Sequence, residues 1–225
     1  MTITEIIRQV RWCVDEEGEN GADFSDSPSV DGKDDMYTDS IIKSKINDAL
    51  RWVCMYAPSI LIVGDSEEES YAKTINTSDG ANKYNVVDGV GRCILPSNTF
   101  RIIRARVDTW KRSVSKTIDE DSDDYLELSN DTAMATVENP KVAIIEKIPK
   151  EIECYPAGSS LELTVVCIPL DLITPETDNS TNVPLPLKVR TAFLYYIAYL
   201  LLTAFDDASA ERMYKIAKEN LGVSQ

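Results

Sequence analysis

The 225-residue chain contains no histidine, and this restricts the chemistry that its side chains can perform. Without an imidazole it cannot build a Ser-His-Asp or Cys-His nucleophile, a histidine general base or a histidine metal site. Carboxylates remain in quantity, and a pair of them can act as acid and base. Because acidic residues occur throughout the chain, spacing selects no particular pair. A carboxylate-dependent soluble enzyme, such as a cell-wall glycosidase, therefore stays open as an alternative function.

Two acidic stretches are candidates for binding a hard metal ion. Residues 15–39 hold ten acidic side chains against the single Lys33, interspersed with glycine and proline, but lack the Asp-x-Asp-x-Asp-Gly pattern of a calcium loop. Residues 119–124 are acidic except for Ser122, and a consecutive run spreads its carboxylates around the backbone. Both patterns are more typical of solvated loops. We predict no metal site and no cofactor.

The overall charge limits the classes of partner. With 38 acidic and 23 basic residues the formal net charge is -15, whereas sequence-specific nucleic-acid binding depends on clustered Lys and Arg. The only basic concentration, between Arg101 and Arg112, alternates with apolar residues. That pattern favours a strand whose charges face solvent or an acidic loop of another subunit. Five cysteines lie far apart, as expected of small core residues in a reducing compartment.

Helical periodicity occurs at both ends of the chain. Thr2 and Glu5 have capping-box spacing before a first helix that ends near Asp15, and a second helix runs from Thr38 or Asp39 to Pro58. A third, from 187 to 205, is uncharged after Arg190, which predicts burial nearly all round. A fourth, capped by Asp206 or Asp207, ends at Gly222.

Between these helices the period changes to that of strands. Short runs rich in branched residues at 93–95, 100–107, 142–148, 151–155 and 161–168 are joined by linkers too short for helical crossovers. The predicted fold class is α+β, a helical bundle of two N-terminal and two C-terminal helices with an inserted antiparallel β-sheet. We expect one domain over 1–225. Its predicted parts are N-terminal helices at 1–58 with the acidic loop at 15–39, a β insertion at 86–170 and a C-terminal helical hairpin at 186–222.

This arrangement resembles the head-to-tail connector proteins of short-tailed bacteriophages. These are the adaptor or tail tubular protein A type, including the ring proteins of crAss-like phages. The matching pieces are an early helix with Trp12, the second helix, the strand entry at 95–102, the Tyr155-Pro156 turn and the run from Val189 to Tyr199. These pieces match in element type more than in signature residues.

The resemblance implies a non-enzymatic, homo-oligomeric virion protein. It would form a neck ring, commonly a dodecamer, that binds the portal, contacts other tail or ring proteins and continues the DNA channel without reading its sequence. Assembly would take place in the host cytoplasm. The resemblance brings no catalytic motif.

A ring subunit needs two different complementary sides. We expect contacts with the portal or a neighbouring copy at basic residues opposite acidic loops. These candidates are Lys43, Arg51, Arg104, Lys215 and Lys218.

Overall fold

The computed structural model describes residues 1–15, 37–62, 70–128, 135–167 and 173–223. Most of the acidic loop predicted at 15–39 lies outside these residues. The chain divides into two compact units: Met1–Ser70 with Leu170–Gln225, and Tyr71–Pro169. The first is called the helical unit below and the second the β unit. That both units form a single connector domain stays a prediction.

Helices and strands follow the predicted order, which confirms the α+β class. The helices are α1 Ile3–Asp15, α2 Asp39–Tyr56, α3 Ser59–Ile62, α4 Asp123–Glu127, α5 Arg190–Ala204 and α6 Ala210–Leu221. The strands are β1 Ala72–Ile75, β2 Asn85–Val87, β3 Val90–Ile94, β4 Thr99–Val107, β5 Ile118–Asp119, β6 Lys141–Ile145, β7 Glu151–Tyr155 and β8 Leu161–Cys167.

Side-chain caps fix where the first two helices begin. The Thr2 amide donates to Glu5 Oε2 at 2.9 Å, and the Glu5 amide donates to Thr2 Oγ1 at 3.2 Å, which confirms the predicted capping box. At α2 the Thr38 hydroxyl accepts the Ile41 amide at 3.4 Å. Helix α2 ends just before Pro58, as predicted, because proline excludes the helical conformation at the residue before it.

Helix α5 is the centre of the helical unit and packs against α1, α2 and α6. A 3₁₀ turn at Leu187–Val189 precedes it, and together they make a segment long and apolar enough to cross a membrane by length and composition. Phe193, Ile197 and Leu201 on α5 are fully buried. The predicted burial all round is wrong on one side, where tyrosines of α5 are only partly covered. The apolar stretch is accounted for by packing among three helices.

Helix α6 begins later than predicted. Ser209 precedes it without a side-chain cap, and the Asp207 carboxylate instead accepts the Ser209 amide at 2.8 Å, which stabilises the turn between α5 and α6. The prediction that Asp206 or Asp207 caps this helix is therefore wrong. Its end is as predicted, with Gly222 in the left-handed conformation at φ 67°.

The β unit contains two sheets where one was predicted. Their strand orders are β1-β8-β4 and β2-β3-β7-β6-β5, antiparallel apart from the short β5–β6 pair. The first strand starts at Ala72, ahead of the boundary predicted at 86. Buried side chains from both sheets make one core that includes Trp110, whose indole N–H donates to the Pro156 carbonyl at 2.7 Å.

Candidate functional site

Three helices of the helical unit place five aromatic rings side by side. Trp52 and Tyr56 lie one turn apart on α2, Tyr196 and Tyr199 one turn apart on α5, and Tyr214 on α6. These rings line a cavity of about 340 Å³, together with Asp48, Arg51 and Met55, and this cavity is called the aromatic groove below. A surface depression with this lining is a candidate contact site for another macromolecule.

The rings of the groove are packed in contact with one another. Trp52 stacks on Tyr196 with centroids 4.1 Å apart, and Tyr199 stacks on Tyr214 at 4.8 Å. Trp52 is 6% exposed whereas Tyr56 is 49% exposed, so the tryptophan belongs to the floor and Tyr56 to the rim. Burial raises the pKa of Tyr196 to about 12.

Basic side chains flank the groove along α6. The Lys218 ammonium lies 5.2 Å from the centroid of the Tyr214 ring, within the range of a cation–π contact. A second cavity, of about 720 Å³, adjoins the groove at Tyr214. Its other lining residues are Glu211, Arg212, Lys215, Lys218, Glu219 and Val223. On α2, Arg51 lies 3.3 Å from Asp48. The groove thus combines exposed aromatic surface with basic residues along α6 and an Arg51–Asp48 ion pair on α2.

Three of the five predicted contact residues meet at these two cavities. They are Arg51 on the α2 side and Lys215 and Lys218 on the α6 side. The sequence separates Arg51 from the other two by more than 160 residues, and only the packing of α2 and α6 around α5 brings them to one surface. Whether they contact another subunit stays a proposal.

Lys43 has a different role from the one predicted. Its side chain is buried, and its ammonium group donates to the Thr177 carbonyl at 2.7 Å and the Pro175 carbonyl at 3.3 Å. The prediction that Lys43 stays with solvent or a partner is therefore wrong, because it anchors the chain between the β unit and α5 to α2. The Asn47 amide, one turn further along, supports the same segment through the Ile173 carbonyl at 2.7 Å.

Arg104 lies in the β unit, on an exposed position of β4. Ile102, Ala105 and Val107 on this strand are buried, while Arg104 and Arg106 are exposed, as expected of a half-buried strand. The Arg104 guanidinium lies 3.6 Å from the Glu162 carboxylate on the neighbouring strand β8. An acidic group of the same chain therefore already faces the arginine, and its contact with another subunit stays a proposal.

Carboxylates are the side chains on which the alternative enzymatic function would depend. The described residues contain no group of three or more His, Cys, Asp or Glu that could hold a metal ion. Glu153 is a buried carboxylate with several partners, which accepts the Tyr155 hydroxyl at 2.6 Å and the Tyr125 hydroxyl at 2.9 Å and lies 3.1 Å from Arg92. Burial and this carboxylate raise the pKa of Tyr155 and of Tyr125. Glu153 thus serves as the centre of a hydrogen-bond network that ties α4 to the sheet.

The acidic run predicted at 119–124 continues into a short helix. Residues 119–127, called the acidic prong below, contain the last residue of β5 and all of α4, and they carry six carboxylates with no basic residue. The carboxylate-bearing residues other than Glu120 are exposed, and Leu126 is 69% exposed among them. The Tyr125 hydroxyl, bonded to Glu153, fixes the prong to the sheet.

Comparison with known proteins gives the family. A family model described as SU10 adaptor protein matches residues 1–222. The chain belongs to the SU10 adaptor protein family. It is accordingly a structural phage adaptor, a component of the virion that associates with other virion proteins. A search of the curated proteins found no match.

The aromatic groove of this adaptor was not predicted as a site. In the sequence, Trp52 and Tyr56 flank the apolar stripe of α2 and Tyr214 lies in the apolar stripe of α6, and both patterns predict core aromatics. The burial of Trp52 confirms this prediction, whereas the exposure of Tyr56 contradicts it. The available signal was the recurrence of aromatic pairs at one-turn spacing on two helices, which indicates a continuous ridge of rings.

Proposed function

We propose that this adaptor forms a ring in the phage neck that joins the portal to the tail and continues the DNA channel. The observation that carries the proposal is the family match over residues 1–222, which spans both compact units. The resemblance to connectors of short-tailed phages, including the ring proteins of crAss-like phages, adds the expected position beneath the portal and a copy number of twelve. Its partners would be the portal, neighbouring copies, other tail proteins and the passing genome.

The charge of the chain supports a channel role. A net charge of -15 leaves little positive surface to hold phosphates, and a channel wall that does not bind DNA lets it slide. In this proposal acidic surface faces the passing genome, while the basic residues Arg51, Arg104, Lys215 and Lys218 serve contacts with protein.

Mixing the purified adaptor with its portal protein tests the assignment directly. We expect an added ring of stoichiometric copy number on each portal particle, visible by negative-stain electron microscopy and countable by mass photometry. The adaptor alone and the portal alone are the controls, since such subunits can remain monomeric until they meet the portal. An adaptor that leaves portal particles unchanged, and is absent from purified virions by mass spectrometry, would contradict the proposal.

A further inference from the structure

We propose that the aromatic groove receives the acidic prong of a second copy of this adaptor. The inference rests on the proposed ring and specifies which two surfaces meet when neighbouring copies assemble. The groove lies in the helical unit and the prong in the β unit, so the contact joins two different surfaces. A contact of this kind is head-to-tail, the type that closes a ring when the rotation between copies allows it.

Apolar and aromatic side chains are exposed at the rim of the groove. Met55 is 44% exposed and Tyr56 is 49% exposed, and both lie beside the stack of buried Trp52 on the partly buried Tyr196. Aromatic and methionine side chains are enriched at the centres of protein interfaces, where they bury large areas at a low cost in conformational entropy. The rigid floor and exposed rim therefore suit an incoming apolar side chain.

Leu126 of the prong supplies such a side chain. It is 69% exposed on α4, and exposed carboxylates surround it in sequence at Asp123, Asp124 and Glu127. The neighbouring Tyr125 is held by Glu153, so α4 is fixed to the sheet before it meets a partner. A preorganised projection loses less conformational entropy on binding than a mobile loop does.

The charges of the two surfaces are complementary. The groove and its adjoining cavity are lined by four basic residues, Arg51, Arg212, Lys215 and Lys218, against three acidic ones, Asp48, Glu211 and Glu219. The prong carries six acidic residues and no basic one. The positive balance of this surface around exposed aromatic rings favours a partner that is both acidic and apolar.

Site-directed cross-linking tests the contact itself. All five native cysteines are buried, so Met55→Cys and Leu126→Cys each add one accessible thiol at an exposed position. The two variants are mixed under mild oxidation, once at high protein concentration and once with portal protein present. We expect a disulfide-linked dimer containing one copy of each variant. Either variant alone should give at most about a tenth of that yield, because its added thiol then faces a native Met55 or Leu126 of the neighbouring copy and has no thiol within bonding distance.

Charge exchange separates a specific contact from a chance collision. Lys215→Glu with Lys218→Glu in the groove copy should lower the cross-linked yield roughly tenfold, because like charges then face each other. Asp123→Lys with Asp124→Lys in the prong copy should lower it to a similar extent, and combining the two reversed copies should restore most of it. Lys83→Glu, a charge reversal at an exposed position of the β unit outside both regions, is the control and should leave the yield unchanged.

Ring formation is scored separately, by microscopy of unmodified adaptor with portal. Rings without the mixed cross-link would overturn the groove and prong contact and leave the proposed function standing. The mixed cross-link without rings would support the contact and contradict the neck assignment. Absence of the cross-link both with and without portal overturns the inference in either case, as does a yield that the charge reversals do not change.

Discussion

The indole of Trp52 and the phenol ring of Tyr196 lie almost parallel, with 4.1 Å between their centroids and 7° between their planes. The stack joins α2 to α5 and forms the floor of the aromatic groove. One turn away, the ring of Tyr56 makes a tilted contact with the same indole at 5.9 Å but stays half exposed. The same surface therefore contains a side chain that stabilises the fold next to one that is available for contact.

Replacement of Trp52 should destabilise the adaptor far more than replacement of Tyr56. We expect Trp52→Ala to lower the free energy of unfolding by about 3–5 kcal/mol, because it removes a buried ring and leaves a cavity. Tyr56→Ala should cost about 1 kcal/mol or less, since much of that ring already meets solvent. Urea denaturation followed by circular dichroism measures both. Equal losses for the two variants would show that the floor and the rim are not energetically distinct.

The buried carboxylate of Glu153 should matter more than the exposed one of Glu162. Glu153→Ala leaves the hydroxyls of Tyr125 and Tyr155 without their acceptor and Arg92 without its partner, and we expect a loss of about 3 kcal/mol. Glu162→Ala breaks only the exposed pair with Arg104 and should cost at most about 1 kcal/mol. Thermal unfolding of the two variants side by side is the measurement. A loss at Glu162 as large as that at Glu153 would contradict this account.

Gly158 occupies a position that has no room for a side chain. A Cβ there would meet Asp108 and Val107 at distances that real Cβ atoms do not show. The adjacent Ser159 amide donates to Asp108 Oδ1 at 3.0 Å, so movement of Asp108 would also disturb that bond. We expect Gly158→Ala to lower the free energy of unfolding by about 1–3 kcal/mol.

Chemical denaturation of Gly158→Ala beside Ser160→Ala checks this expectation. Ser160 is exposed, and only its backbone carbonyl is used, as acceptor of the Asp108 amide at 3.1 Å, so its replacement should be nearly neutral. A neutral Gly158→Ala variant would mean that the turn relaxes without loss.

Features encoded by a few neighbouring residues could be predicted from the sequence. The capping box at Thr2, the end of α2 before Pro58 and the closure of α6 by Gly222 depend on local backbone and side-chain preferences. Strand β7 was predicted with the bounds that the structure has, since it is short, rich in branched residues and followed by a turn.

Features that depend on distant packing could not be predicted in this way. Strand β1 has the sequence Ala-Lys-Thr-Ile, without a clear alternation, and pairs with β8 about ninety residues later. The burial of Lys43 arises from carbonyls 132 and 134 residues away. The groove itself needs α2, α5 and α6 together, so its basic rim appeared in the sequence only as separate surface residues.

The buried ammonium of Lys43 should stabilise the segment that leads into α5. Lys43→Met keeps the length of the side chain but leaves the Pro175 and Thr177 carbonyls without their donor, and we expect a loss of about 1–2 kcal/mol. Lys215→Met, at an exposed position of α6, is the matched control and should be nearly neutral. Denaturation gives the free energies, and amide hydrogen exchange at residues 173–183 should increase in Lys43→Met alone. Unchanged exchange there would show that Lys43 does not anchor the segment.

The capping box at the start of α1 should make the stability of the adaptor depend on pH. The hydrogen bond from the Thr2 amide, aided by the charged N-terminus and Arg8, holds the pKa of Glu5 below its ordinary value of 4.5. A carboxyl whose pKa is lower in the folded state stabilises that state above the unfolded pKa, and the contribution is lost as the pH falls through the folded value.

Glu5→Gln removes this titration while keeping an oxygen that can accept the same amide. We therefore expect the difference in melting temperature between the native chain and Glu5→Gln to be largest at neutral pH and to shrink as the pH is lowered below about 4.5. Glu176→Gln makes the same change of charge at an exposed residue outside any helix start and is measured beside it as the control. If the difference in melting temperature between the native chain and Glu5→Gln instead grew toward acid pH, the protonated form of Glu5 would be the one that stabilises the fold. That result would contradict a lowered pKa of Glu5 in the folded state.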